Sequence, residues 1–351
     1  MTGPLSVRPM LFFSIDENII LPELFWFILK SEFFNKTLRA ATAGSVRMNL
    51  TYPLLETLKV PLPPIPIQQK IVEYWKGENF IANKCIEQSN EINNSIPNYL
   101  VSEIGLKPLK QAHSRRSFVS SWKEIDRWGV NIARERTCRP NLSRSSFPIV
   151  SLSDVIVDLE TGWSPKSLNR PANIDEWGTL KLGAISFGVF NENENKALPA
   201  KMKPKPQYEV KTGDLLICRG NVPRYVGACA LAGEVRAKLM LCDLMFRVIW
   251  KENSVILPEY LDEIFKIPHL RWQIETNLTG TSPTMKKISK PGLMGLKFPL
   301  PSLNIQKNTI DAIATMREES NLLDNKAKTL VKESTKTVEK LILGTLSVEN
   351  L

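Results

Sequence analysis

Apolar and small residues recur alternately three and four apart in two long stretches of the chain, the spacing that keeps them on one face of a helix. In the later stretch the positions are Ile313, Met316, Ser320, Leu323, Ala327, Leu330, Ser334, Thr337 and Leu341. The same spacing recurs 238 residues earlier through Trp75, Glu78, Ala82, Cys85, Ser89, Ile92, Ile96, Tyr99 and Glu103. Both carry small polar residues where a strong heptad seam would carry leucine. Two imperfect seams in matching register predict helices that pack on each other as an antiparallel coiled coil, small residue against small residue; neither would be stable alone in water. Between residues 117 and 300 the pattern changes to short β-branched or apolar runs bounded by Gly, Pro and Asn, at Phe147–Leu159, Gly178–Phe190, Asp214–Gly220, Val226–Gly233 and Leu244–Trp250. These read as strands. Leu257–Thr276 reads as a helix, so the fold class is α+β.

Proline punctuates both long helices. Pro61, Pro63, Pro64 and Pro66 precede the first and Pro299 and Pro301 the second, with Val60-Pro61-Leu62-Pro63 answered by Phe298-Pro299-Leu300-Pro301 and Ile67-Gln68 by Ile305-Gln306. Fixed φ angles forbid helix up to Ile65, which makes a stiff extended connector that starts the helix at a defined angle. Pro97 is placed to kink or end the first helix. The repeat extends upstream at an offset of 236, where ILPELFWFILKSEFF from Ile20 aligns with ILPEYLDEIFKIPHL from Ile256 and Gly44-Ser45 with Gly280-Thr281. A match of this length and order reads as a duplication of helix, glycine-centred loop, short strand, proline turn and long helix. A helix of about 38 residues would be roughly 57 Å long, or about 17 base pairs of duplex.

Composition narrows the partners. With 351 residues, 43% hydrophobic and 23% charged, the chain is an ordinary globular mixture. No apolar run reaches the roughly 20 residues of a membrane span, and the start lacks the pattern of a secretory leader, so a soluble cytoplasmic protein is expected. Five cysteines without a C-x-x-C pair, and only His113 and His269, specify neither a zinc site nor a disulfide framework. The net charge of +10 is uneven: −1 over residues 1–104, +7 over 105–146, +4 over 147–300 and 0 over 301–351. A basic middle is the footprint of a polyanion, nucleic acid first.

Together, Thr161–Pro165 (TGWSP), Val210–Asn221 (VKTGDLLICRGN), Leu257–Leu261 (LPEYL), a Gly-Thr loop, FPLPSLNIQ and a long helix resemble the target-recognition domain and conserved helix of the specificity subunit of type I restriction-modification enzymes. Asp126–Asn131 (DRWGVN) is similar to the start of such a domain. The resemblance implies residues 1–60 as the C-terminal remnant of a first recognition domain and 61–104 as connector and first conserved helix. It implies 105–301 as a complete second recognition domain with a mixed sheet, including a basic linker, and 302–351 as the second conserved helix. Roughly the first 120 residues of a first recognition domain have no counterpart. Family members use two such domains to read the halves of a bipartite DNA sequence, while the helices set the spacer and dock methyltransferase subunits. Double-stranded DNA, methyltransferase subunits, restriction (translocase) subunits and a second specificity-type chain are therefore the expected partners, with no membrane. The resemblance implies S-adenosylmethionine, ATP and Mg for partner subunits and none for this chain.

The residues themselves offer no catalytic set. There is no N-P-P-[FY] or D-P-P-Y, no G-x-x-x-x-G-K-[ST], and Asp175, Glu176 and Lys181 match a nuclease order only loosely. Candidate DNA contacts are Arg219, Asn221, Arg224 and Tyr225, where Arg suits guanine O6/N7 and Asn adenine N6/N7. Thr281, Ser282, Lys286 and Lys287 on the Gly280 loop suit phosphate, and Ser164, Lys166 and Arg170 form a third group. Lys201, Lys203 and Lys205, held extended by Pro204 and Pro206, either track a phosphate backbone or form a solvated loop. The basic linker, with Arg115, Arg116, Arg134, Arg136, Arg139 and Arg144, suits DNA or an acidic partner. Tyr74 and Trp75 serve helix packing or mark a partner surface. A stand-alone coiled-coil DNA-binding regulator or scaffold, and an inert truncated remnant, are the competing readings.

Overall fold

In the computed structural model, residues 14–41, 56–108, 140–282 and 284–351 are described. Helix α1 (Pro22–Lys30) and α2 (Glu32–Ala41) precede the proline connector, and α3 runs from Ile65 to Glu103. It starts where the prolines permit: Pro64 offers its carbonyl to the N–H groups of Ile67 and Gln68 at 2.8 and 3.0 Å. Pro97 neither ends the helix nor stops it short of Glu103. Burial of Ile96, Leu100, Val101 and Ile104 around it offsets the roughly 3 kcal/mol that an internal proline costs.

Contacts divide the chain into Met1–Asn93 with Arg317–Leu351, and Asn94–Met316. The long helices α3 and α8 (Leu303–Ile342) contribute to both units.

In the first unit α3 and α8 pair antiparallel along the expected seam. Ala82 and Cys85 pack with Ala327, Ser89 and Ser320 share a hydrogen bond of 2.8 Å, and Asn93 Nδ2 donates to Ser320 at 2.6 Å. Ser334 is also buried. At the other end Ile71 and Val72 join Val338, Leu341 and Ile342 in a core with Leu24, Phe27, Ile28 and Phe34. Trp75 packs there too, 5.7 Å from the Trp26 ring and 6.3 Å from that of Phe27, and Tyr74 lies against the same core. Both aromatics thus serve packing.

The second unit is built on an antiparallel sheet of four strands. These are β2 (Ile156–Thr161), β7 (Leu215–Cys218), β9 (Cys229–Leu231) and β11 (Met245–Trp250), in the order β2-β11-β7-β9. Alternate residues face two cores. Leu215, Ile217, Cys229, Phe246 and Val248 enter one with helices α5 (Pro258–Ile264) and α6 (Pro268–Thr276), whereas Leu216, Ala230 and Met245 enter the other. Over the second core lies a mixed sheet in which β3 (Gly178–Leu180) pairs parallel with β10 (Leu239–Met240) and antiparallel with β6 (Asn195–Ala197). Strand β1 (Ile149–Ser151) pairs with β13 (Lys297–Pro299) and so ties the start of the unit to the second proline connector.

Several runs read as single elements are interrupted. A turn of helix, α4 (Leu152–Val155), splits Phe147–Leu159 because Ser151 and Asp154 form a capping box. Gly178–Phe190 divides into β3, β4 (Ile185–Ser186) and β5 (Val189–Phe190), with a 3₁₀ turn at Leu182–Ala184. Leu257–Thr276 breaks into two helices because Pro268 holds Ile267 extended at ψ 146°.

The duplication reaches hydrogen-bond detail. Gln68, fully buried, accepts from Leu21 N–H at 2.9 Å and donates to the carbonyls of Ile19 and Pro63 at 2.9 and 2.8 Å. Gln306, equally buried, accepts from Leu257 N–H at 2.9 Å and donates to Val255 and Pro301 at 2.9 and 2.8 Å. Both long helices also end alike. Gly105 and Gly344 take φ of 69° and 71°, and the next residue's N–H returns to Val101 or Lys340 at 2.9 Å in each case, a glycine C-terminal motif. Gly44-Ser45, Asp126–Asn131 and five of the six basic-linker arginines, Arg115, Arg116, Arg134, Arg136 and Arg139, lie outside the described residues.

Candidate nucleic-acid interface

In the second unit, segments far apart in sequence meet through backbone pairing. Strand β8 (Gly220–Asn221) runs antiparallel to β12 (Lys286–Lys287), with Asn221 opposite Lys286 and Gly220 opposite Lys287. Gly220 fits because a Cβ there would lie 3.1 Å from both Leu244 and Lys287 side-chain carbons. The carbonyl of Arg219 accepts from Ile288 N–H at 2.9 Å, and its own N–H reaches Leu244 at 2.8 Å. The Arg219–Tyr225 and Gly280–Lys287 segments therefore form one surface.

The TGWSP segment joins it through Asp243. Ser164 Oγ donates to the Asp243 carboxylate, Asp243 N–H donates back to Ser164 at 3.2 Å, and Arg219 Nη1 donates to the Asp243 carbonyl at 3.4 Å. The Arg219 guanidinium also lies 5.4 Å over the Phe246 ring, which limits its freedom. Gly162 permits the approach: a Cβ there would fall 2.0 Å from the Leu241 carbonyl oxygen, while Trp163 N–H donates to that oxygen at 2.9 Å. Lys205 completes this edge with Nζ 4.5 Å from the Trp163 ring.

A 3₁₀ turn at Pro223–Tyr225 carries the outermost side chains. Arg224 lies 4.6 Å over the Tyr225 ring and donates to its hydroxyl at 3.0 Å. Tyr225 stacks on Phe187 at 6.1 Å and 26°. Arg271 of α6 sits 5.2 Å over Phe187; burial pulls its pKa down, opposed by Glu275 at 3.5 Å.

The remaining candidates have mixed placements. Asn221 turns its side chain onto its own loop, accepting from Val222 N–H at 2.8 Å. Lys286 folds back onto the Gly280 carbonyl, whereas Thr281, Ser282, Lys287 and Lys166 are exposed. Arg170 stands apart, in a two-pronged pair with Glu176 at 2.6 and 2.7 Å that holds the Glu176 carboxyl down at about 2. Its segment runs along β6, with Ala197 N–H donating to the Arg170 carbonyl. Lys181 pairs with Glu194 at 2.8 Å, so Asp175, Glu176 and Lys181 form no common centre.

Phe187, Asp243 and Arg271 escaped the sequence reading. Each acts on a candidate tens of residues away, and none carries a local motif. Among the described residues, no group of three or more His, Cys, Asp and Glu side chains could hold a metal ion, and no helix is long and apolar enough to cross a membrane.

Comparison with known proteins gives one consistent picture. The type I restriction modification DNA specificity domain family matches residues 6–98, which include α1, α2 and most of α3 but not the surface just described. The specificity subunit of the type I restriction enzyme EcoEI from Escherichia coli is 31% identical over 163 residues, 46% of this chain and 27% of that protein. That of MjaVIII from Methanocaldococcus jannaschii is 24% identical over 350 residues, covering 96% of this chain and 73% of the relative. That of EcoKI from Escherichia coli K12 is 21% identical over 300 residues, 84% of this chain and 58% of the relative. Thus the chain spans about a quarter of the length of the first of these relatives and somewhat over half to nearly three quarters of the other two. A solved chain from work on the assembly and conformational transition of a type I restriction-modification system shares the fold, with a TM-score of 0.59 at 15% identity over 93% of this chain and 72% of the other.

Proposed function

Because the chain is a relative of the specificity subunits of type I restriction-modification enzymes, we propose that it reads DNA sequence for such a complex and supplies no catalysis itself. The observation that carries this is the convergence of three segments, 161–164, 219–225 and 280–287, on one cationic surface through β8, β12 and Asp243. Arg219 and Arg224 are the groups for base edges: Arg219 commits Nη1 to the Asp243 carbonyl and Arg224 commits Nη2 to the Tyr225 hydroxyl, and the remaining outer N–H groups of each suit guanine O6 and N7. Lys166, Lys287, Thr281 and Ser282 contact phosphate and fix register. Asn221 and Tyr225 shape the reading turn, Ser164 braces Arg219 through Asp243, and Lys286 supports its own loop. Arg170, engaged by Glu176, supports the fold of its segment.

In this reading residues 105–301 form the recognition domain for one half-site. The proline connectors and paired helices set the distance to a second half-site, which another specificity-type chain supplies. Methyltransferase subunits dock on the helices, restriction subunits join them, and S-adenosylmethionine, ATP and Mg serve those subunits. The complex works on cytoplasmic DNA in phage defence.

The test is selection from randomised duplexes by the full chain together with its methyltransferase subunits, followed by affinity measurement at several salt concentrations. An enriched motif, with log K falling steeply against log salt, is expected. Absence of any motif, or a flat salt response, would remove DNA reading. A two-part motif with a fixed gap would show the second half-site; a single short motif would confine reading to this one domain.

A further inference from the structure

The turn that presents Arg224 is held from behind by a residue with no other evident task. Arg271 projects from α6, and its side chain is 13% exposed. It donates from Nη1 to the Val226 carbonyl at 2.7 Å and from Nη2 to the Arg224 carbonyl at 3.1 Å. Leu270 and Ile274, on the same helix, are fully buried, so the base of the clamp is rigid. Gly227, at φ 74°, lets the turn come this close: a Cβ there would lie 2.7 Å from Ile274 Cδ1. Phe187 fills the remaining side, between the ring of Tyr225 and the guanidinium of Arg271.

We propose that Arg271 is a positioning residue for base reading, which holds the Pro223–Tyr225 turn by two carbonyls and sets the pose in which Arg224 meets DNA. The inference rests on the DNA-reading function argued above and adds to it the determinant of one base preference. The two arginines divide the work. Arg224 has no carboxylate partner among the described residues, is exposed, and stacks on Tyr225. Arg271 spends its Nη donors on two backbone carbonyls and the Glu275 carboxylate and cannot reach a base without releasing the turn. A guanidinium suits this clamp because its planar fork reaches two carbonyls at once, which a lysine ammonium on its flexible stem does less well.

The experiment is the same duplex selection, run with the full chain and its methyltransferase subunits, comparing wild type with Arg224→Ala, Arg271→Gln, Arg271→Lys and Phe187→Leu. Melting temperatures are recorded in parallel. Arg224→Ala identifies the motif position that the turn reads. Arg271→Gln is expected to relax that same position by roughly tenfold in discrimination while the other positions keep theirs, with Arg271→Lys in between. A uniform loss across all positions, or an unchanged motif, would overturn the positioning role and leave the DNA reading intact. If Arg271→Gln does not fold, Phe187→Leu takes its place, because it removes the ring shared by Tyr225 and the Arg271 guanidinium while leaving every charge in place; relaxation at the Arg224 position supports the clamp, and an unchanged motif overturns it. A wild type that enriches no motif overturns both readings.

Discussion

Among the described residues, the two copies of the repeat share the same backbone corners and support them with different side chains. In both, a buried glutamine ties a Leu N–H and two carbonyls to the proline connector, at Gln68 in one and Gln306 in the other. In both, the preceding helix breaks at one point. Pro268 enforces the break in the second copy, whereas in the first the break falls at Ser31, whose ψ is 152° and whose hydroxyl accepts from Phe34 N–H at 3.3 Å. One residue earlier, Lys266 forms a part-buried ion pair with Asp262 and Glu263 at 2.7 and 2.6 Å, while its counterpart Lys30 lies 3.8 Å over the ring of Trp26. Angles and hydrogen-bonded corners persist, because many groups depend on them at once. Single contacts are replaced freely.

The largest test of this equivalence is at the glutamines. Gln68→Leu and Gln306→Leu should each cost about 3 kcal/mol in urea unfolding, because each strands an N–H and two carbonyls that, among the described residues, only the amide satisfies. A full loss in one and none in the other would break the comparison.

A smaller effect is expected in the helix seam. Ser89→Ala leaves Ser320 with one partner fewer and should cost about 1 kcal/mol, whereas the double change Ser89→Ala with Ser320→Ala should recover part of it, since removing both partners is cheaper than removing one. The repeat already contains that outcome, because Ala327 and Ala82 are the counterparts of Ser89 and Ser320 and pack in the same small cluster. A double-mutant cycle that shows simple additivity would deny the pairing.

The smallest effect concerns His269, buried in α6, where the first copy has Phe33. Burial holds its pKa below the ordinary 6.5, so the unfolded chain takes the proton more readily. The associated stability is complete above about pH 6.5 and is lost as pH falls through the folded value. His269→Phe should therefore flatten the fall in urea midpoint between about pH 7.5 and 5.5. An unchanged slope would assign the acid sensitivity to other groups.

The helices and connectors were legible in the sequence because proline and heptad spacing act locally. The start of α3 at Ile65 and the seam through Ala82, Cys85, Ser89, Ser320 and Ala327 followed from position alone. Pro97 does not end the helix, since its cost is outweighed by burial that no local rule reports. Strand Phe147–Leu159 was interrupted by a capping box, Ser151 with Asp154, whose spacing was visible but secondary to the apolar pattern. At the candidate interface the arginines and lysines were found from composition, but their neighbours were not. Gln68 stood out only as part of a repeated Ile-Gln, for its partner Leu21 lies 47 residues away, and Arg271 reaches Arg224 across 47 as well. Arg170 is the exception, because Glu176 lies six residues on and a charge count of that segment would have paired them.

The seam between α3 and α8 is its own mirror: Ser89 with Ser320 on one side of a midpoint near Cys85, Ala82 with Ala327 on the other. A chain carrying one copy could build such a seam only by meeting a second molecule, and the amount of protein present would decide whether it formed. Joined end to end, the two copies face each other at an effective concentration set by the intervening chain and independent of dilution. The duplication thereby turns an encounter between molecules into a step of folding, and leaves each half free to drift in sequence as long as it still fits the other.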